Sequence, residues 1–109
     1  MKRVYICAPM GSDSAESLCK AKRYAQFALK SGYAPVLPHF YGLCSEKGYA
    51  SACAAAGQSL IWLCDEIWIV SNEITREMYR DLRFSKHLNI PTRKVTEREI
   101  AKLIGGNAK

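Results

Sequence analysis

Glu73, Glu77 and Asp81 recur every four residues in the stretch CDEIWIVSNEITREMYRDL, just past an apolar run and interleaved with Arg76 and Arg80. Carboxylates gathered at such a place have two readings. In one they belong to an intrahelical ladder: Arg76, Arg80, Arg83 and His87 repeat at four, three and four, Glu77 and Asp81 lie four apart on the neighbouring row, and Glu77 faces Arg80. Exposed pairs of that kind contribute only about 0.3 kcal/mol each, so stability alone hardly demands the arrangement. In the other, a carboxylate in the first turns of a helix at the end of a strand acts as a sugar-directed nucleophile or accepts from a ribose hydroxyl. Spacing alone leaves both open.

A second candidate is the turn APMGSD, with Pro9, Met10, Gly11 and Ser12 directly after an apolar run. It is not GxGxxG, and nothing in the chain resembles GxxxxGK[ST], which argues against dinucleotide or triphosphate binding. A short Pro-Met-Gly turn still exposes backbone N–H groups and the Ser12 and Ser14 hydroxyls beside a helix N-terminus, a setting for an anion or for sugar hydroxyls. Ser12, Asp13 and Ser14 serve equally well as helix caps. Of the two histidines, His39 follows Pro38 at the end of a short apolar run, whereas His87 at the tail of a basic helix is a favourable charge near a helix C-terminus. The five cysteines, at 7, 19, 44, 53 and 64, show no CxxC and no zinc spacing, and they read as reduced, mostly buried thiols.

These residues need elements to position them. Arg3–Cys7 is a β-branched and aromatic strand. A helix from about Ala15 to Ser31 turns Leu18, Ala21, Ala25, Ala28 and Leu29 inward and Lys20, Arg23, Gln26 and Lys30 outward, with Gly32 as its stop. Ala34–Leu37 is a second strand, followed by an aromatic loop through Lys47. A charge-free helix from about Gly48 to Leu63 packs Tyr49, Ala50, Cys53, Ala54, Gly57, Leu60, Ile61 and Cys64 on a sheet and leaves Ser51, Ala55, Gln58 and Trp62 outward. Its Ala, Ser, Gly and Gln content is wrong for a membrane span. EIWIV lacks polar alternation and reads as a strand covered on both faces. Ser71–Asn72–Glu73 turns into a helix from about Thr75 to His87 with the seam Met78, Leu82 and Ser85. Pro91–Val95 is an edge strand, and Thr96 with Glu99 forms a capping box for a last helix. The order β-α-β-α-β-α-β-α is that of a single-domain, Rossmann- or flavodoxin-like open parallel sheet of about four strands with helices on both faces. Ligands of such sheets sit beyond the carboxyl ends of the strands, which nominates Ala8–Asp13, His39–Tyr41 and Ser71–Asp81.

At 109 residues and 49% hydrophobic content the chain is one globular domain. The net charge of +6 is spread over several stretches, which favours a mildly basic surface attractive to a small anionic ligand over a nucleic-acid footprint. The N-terminus is too short for a signal h-region, so a cytoplasmic location is expected.

YICAPMGSD, KAKRYAQFALKSGYAPVLPH, LCDEIWIV, ITREMYRDL and NIPTRKV, taken in order, resemble small bacterial and phage proteins described as nucleoside 2-deoxyribosyltransferase-like, over nearly the whole chain. In characterised members a Glu attacks the anomeric carbon of a deoxynucleoside, releases the base and passes the sugar to another base or to water. The resemblance implies the same role for Asp81, which stands three residues after Met78 where the family has Glu, and it implies that Tyr5 orients that carboxylate. It further implies a substrate pocket formed by Pro9, Met10, Gly11, Ser12, His39, Ser71, Asn72, Glu77 and Met78, with no metal and no cofactor; Glu77 stands where the family has Gly. Three functions are thus in play: an N-deoxyribosyltransferase or nucleoside/nucleotide N-glycosidase, a non-catalytic nucleotide-binding module, and an oligomeric interaction protein of phage origin. The small, uncharged outer face of the Gly48–Cys64 helix, with Trp62 at one end, points to a homo-oligomer.

Overall fold

The computed structural model describes residues 1–9, 14–37 and 48–105. Its elements alternate as the sequence pattern predicts: β1 (Lys2–Cys7), α1 (Ser14–Lys30), β2 (Tyr33–Val36), α2 (Ala50–Ile61), β3 (Glu66–Ile69), α3 (Arg76–His87), β4 (Thr92–Lys94) and α4 (Glu97–Ile104). The four strands form one sheet in the order β2-β1-β3-β4. Every pairing is parallel; Tyr5 lies opposite Val36 on one side and Ile67 on the other.

Side-chain alternation along β1 divides the interior in two. Val4 and Ile6 face a core completed by Trp68 and Val70, by Tyr24, Phe27 and Ala28 of α1, and by Ile100 of α4. Tyr5 and Cys7 face the opposite core, where Ile67 meets Ile61 from the end of α2, Cys64 just beyond it and Met78 from α3. Helices therefore cover both faces, the arrangement of a doubly wound α/β fold. Ile67 and Trp68 are both fully buried, in keeping with the unalternating EIWI strand. The exposed β4 closes the sheet as its edge, and the Thr96–Glu99 capping box starts α4.

The amino edge of the sheet is closed by two acids. Asp65 accepts from the Arg3 backbone N–H at 2.8 Å and its own N–H donates to the Arg3 carbonyl at 2.8 Å. Glu66 accepts from the Tyr33 hydroxyl at 2.7 Å and from the Trp68 indole N–H at 3.0 Å, so the buried tryptophan is satisfied without breaking the apolar layer. Those two bonds hold the Glu66 carboxyl below its ordinary pKa. Both acids sit at the edge away from the strands' carboxyl ends.

Three sequence expectations are corrected. Leu18 and Leu29 are 47% and 54% exposed; Ala21 and Ala28 are buried as expected, and Tyr24 and Phe27 complete the buried face of α1 in place of the two leucines. Arg23 does not point into solvent: its Nε lies 3.3 Å from Glu97 Oε2 and its Nη1 donates to the Gly105 carbonyl at 2.8 Å, tying α1 to α4. Tyr49 precedes α2 as its N-cap residue and is 61% exposed rather than packed on the sheet. Gly32 does stop α1, at φ 86°, a left-handed conformation that a side chain would strain.

Candidate functional site

The carboxyl ends of β1 and β3 lie side by side because the Val70 N–H donates to the Cys7 carbonyl at 2.9 Å. The chain leaves β3 through a tight polar turn in which the Ser71 hydroxyl accepts from the Glu73 N–H at 2.9 Å. Thr75 then caps α3: its side chain accepts from the Met78 N–H at 3.2 Å, and its carbonyl accepts from the Tyr79 N–H at 2.9 Å. With the helix anchored this way, Met78 enters the core at 3% exposure, and Asp81, three residues on, shares that inward side.

There Asp81 meets Tyr5. The fully buried Tyr5 donates its hydroxyl to Asp81 Oδ2 at 3.0 Å, while Arg80 Nε stands 3.9 Å from Oδ1. The Asp81 side chain is only 16% exposed. The outer-ladder reading places this carboxylate in solvent; the fold splits the acids, with Glu77 outside and Asp81 turned in.

Burial is the main cause of an Asp81 pKa above the ordinary aspartate value; the Tyr5 hydrogen bond and Arg80 pull it down, and the nearby Glu77 charge pushes it up. Burial, and then the Asp81 charge, raise the Tyr5 hydroxyl well above its usual value, which keeps it a donor. The same two causes push the Cys7 thiol up to about 12, and burial pushes Cys64 up to about 11. The result is one proton-donating phenol holding one oxygen of a carboxylate in a largely dry setting.

Of the other residues expected at a pocket, Pro9 is half-buried just beyond β1, Ser71 is half-buried with its hydroxyl engaged in the turn, Asn72 is exposed in that turn, and Glu77 is exposed in the first turn of α3. Met78 is 3% exposed and packs in the core that holds Tyr5 and Cys7. Met10, Gly11, Ser12 and His39 lie outside the described residues. Sequence reasoning missed Cys7 and Arg80. The period of two along β1 was the available signal for Cys7, which must share the face of Tyr5.

Among the described residues no three His, Cys, Asp or Glu side chains gather as a metal site, and no helix is long and apolar enough to cross a membrane. What the arrangement offers chemically is a carboxylate of raised basicity, fixed at one oxygen, on the helix that follows β3. A comparison with curated proteins returned no match. A family model described as a domain of unknown function, DUF7768, matches residues 2–95, a span that holds all four strands and both members of the Tyr5–Asp81 pair, and the chain belongs to that family.

Proposed function

We propose that this protein binds a (deoxy)nucleoside or nucleotide at the carboxyl ends of β1 and β3 and cleaves or transfers its N-glycosidic bond, as its resemblance to nucleoside 2-deoxyribosyltransferase-like proteins implies. The observation that carries the reading is the hydrogen bond from Tyr5 to Asp81 Oδ2 at 3.0 Å, an interaction between residues 76 apart that turns a helix carboxylate towards the sheet.

In this mechanism the Asp81 carboxylate forms a bond to the anomeric carbon as the C–N bond breaks, the bonding electrons leaving with the base, which takes up a proton. Water or a second base then displaces the carboxylate from the opposite side, so that two inversions give net retention. Tyr5 holds Oδ2 and leaves Oδ1 for attack. Burial makes the carboxylate a stronger nucleophile, while Tyr5 and Arg80 keep it ionised. Ser71 and Asn72 supply contacts to sugar hydroxyls or phosphate, a role the resemblance also implies for Pro9, Met10, Gly11, Ser12 and His39. The net charge of +6 favours an anionic ligand. A cytoplasmic setting accords with the free thiols of Cys7, Cys19, Cys53 and Cys64.

One observation favours a non-catalytic nucleotide-binding module instead. Asp81 is mostly buried, and its Oδ1, the oxygen the reaction needs, already has Arg80 at 3.9 Å. Liquid chromatography of free base from deoxynucleosides and their 5′-monophosphates, run beside a thermal-shift panel of the same compounds, separates the two. Base release by the wild type and not by Asp81→Asn supports the enzyme. Ligand stabilisation without release supports the module, and neither response overturns both.

A further inference from the structure

The outer face of α3 carries a feature that the Tyr5–Asp81 site does not use. Tyr79, Arg83, Lys86 and His87 line a groove of about 410 Å³ on the side of the helix turned away from the sheet. Tyr79 is 58% exposed, and the Arg83 guanidinium carbon stands 6.0 Å from the centre of its ring. No carboxylate among the described residues lines this groove. Lys86 and His87 sit in the last turn, where they complement the helix dipole. That explanation does not extend to Arg83, one turn earlier, or to an aromatic ring left in solvent beside it.

We propose that this face binds single-stranded nucleic acid. Unpaired bases stack on aromatic rings without regard to sequence, while cations beside the ring meet the phosphates. An exposed Tyr flanked by Arg and Lys supplies both, and a net charge of +6 supplies the long-range attraction. Arg76 continues the cationic row towards the start of the helix, extending the track to about 16 Å at 1.5 Å per residue. In sequence the basic residues are scattered; the helix gathers these onto one face. An acidic peptide would be drawn by the same charges but would have no use for the ring.

The probe is a fluorescein-labelled 15-mer of thymidylate, followed by fluorescence anisotropy with the full chain from low to high salt. Binding should weaken with salt at a logarithmic slope of about −2, since three cations, Arg76, Arg83 and Lys86, each contribute about 0.7. Arg83→Gln with Lys86→Gln should lower the slope magnitude by about 1.4. Tyr79→Ala should weaken binding roughly tenfold with little change in slope, and Tyr79→Trp should restore it. All of these positions are exposed, and circular dichroism confirms that each variant is folded. Asp81→Asn should bind the 15-mer like the wild type, so failure of the nucleoside reading leaves this test intact. Absence of binding at low salt, a slope unchanged in the double variant, indifference to Tyr79→Ala, or equal competition by polyglutamate or by duplex DNA would each overturn the proposal.

Discussion

The Tyr5 hydroxyl, on the second core layer of a central strand, donates at 3.0 Å to Asp81, a residue whose helix neighbours Arg80 and Glu77 both face solvent. A single inward carboxylate on a helix whose other charged residues are exposed is costly in isolation, because burial penalises its charge. The phenol and the half-exposed Arg80 offset that cost without neutralising it, which is why the Asp81 pKa stays above the ordinary value. A carboxylate kept in that state has the perturbed titration that marks a candidate functional group.

Asp81 substitutions test the nucleophile directly. Asp81→Asn keeps shape and removes charge, so base release should fall by a factor of about a thousand or more, as when a covalent nucleophile is lost. Asp81→Glu restores the residue type of the resembling enzymes and adds one methylene. Increased base release in that variant would identify a weakened enzyme; silence in both variants with ligand still bound would leave the binding module.

The raised Asp81 pKa also predicts a pH dependence of stability. The folded chain holds this proton more tightly than the unfolded chain, so the contribution to folding is present below the ordinary aspartate value of about 3.9 and is lost as pH rises through the raised value. Asn carries no such charge. Asp81→Asn should therefore gain stability over the wild type as pH rises from 4 to 7, read from urea midpoints across that range. A difference independent of pH would refute the assignment.

Tyr5→Phe removes the donor and leaves the carboxylate buried beside a ring. Loss of one partner from such a pair costs about 1–3 kcal/mol. Because the hydrogen bond lowers the Asp81 pKa, its removal should also move the acid limb of the base-release profile to higher pH. A merely structural tyrosine would lower the melting temperature and leave that limb in place.

The order of elements was legible because each apolar run is short, bounded by turn residues such as Gly32, Pro9, Pro91 or Ser71–Asn72, and separated by helix-period segments. Faces were harder. On α1 the expected face shares Ala21 and Ala28 with the observed one but is rotated towards Leu18 and Leu29; the fold turns Tyr24 and Phe27 in because Phe27 packs edge-on to Trp68 at 5.7 Å, filling the layer over the sheet. Arg23 was expected in solvent since its partners, Glu97 and Gly105, lie more than seventy positions away. Asp81 had the same difficulty. Its side of the helix borders the Met78 seam, and only the reach of Tyr5 from β1 decides between surface and cleft. The family resemblance pointed to that pair; spacing did not.

Thiol reactivity should rank the cysteines by burial. Cys19 is exposed, whereas Cys7 and Cys64 are buried with pKa values pushed up to about 12 and about 11. A pulse of iodoacetamide at pH 8, read by mass spectrometry, should label Cys19 in the native chain and reach Cys7 and Cys64 only after denaturation, since the thiolate is the reactive form. Equal labelling of Cys7 and Cys19 in native conditions would mean that the core beneath the Tyr5–Asp81 pair opens readily.

Assembly is the last prediction. α2 carries no charged residue, and its outward positions Ser51, Ala52, Ala55 and Ser59 are small and exposed. At its end Trp62 is 64% and Leu63 53% exposed, with Trp62 resting edge-on against Phe84 at 6.0 Å. Small side chains let two helix backbones approach closely, and a self-complementary patch of this kind fits a two-fold axis. A homodimer that buries Trp62 is expected, seen as twice the monomer mass by light scattering at micromolar concentration. Trp62→Glu should give a monomer that keeps its fold, because the charge enters the interface and not the core. Fluorescence supplies an independent reading: of the two tryptophans Trp68 is fully buried, so acrylamide quenching should increase on dilution only through Trp62. A monomeric wild type at micromolar concentration, or quenching that ignores dilution while the mass falls, would remove α2 as the interface.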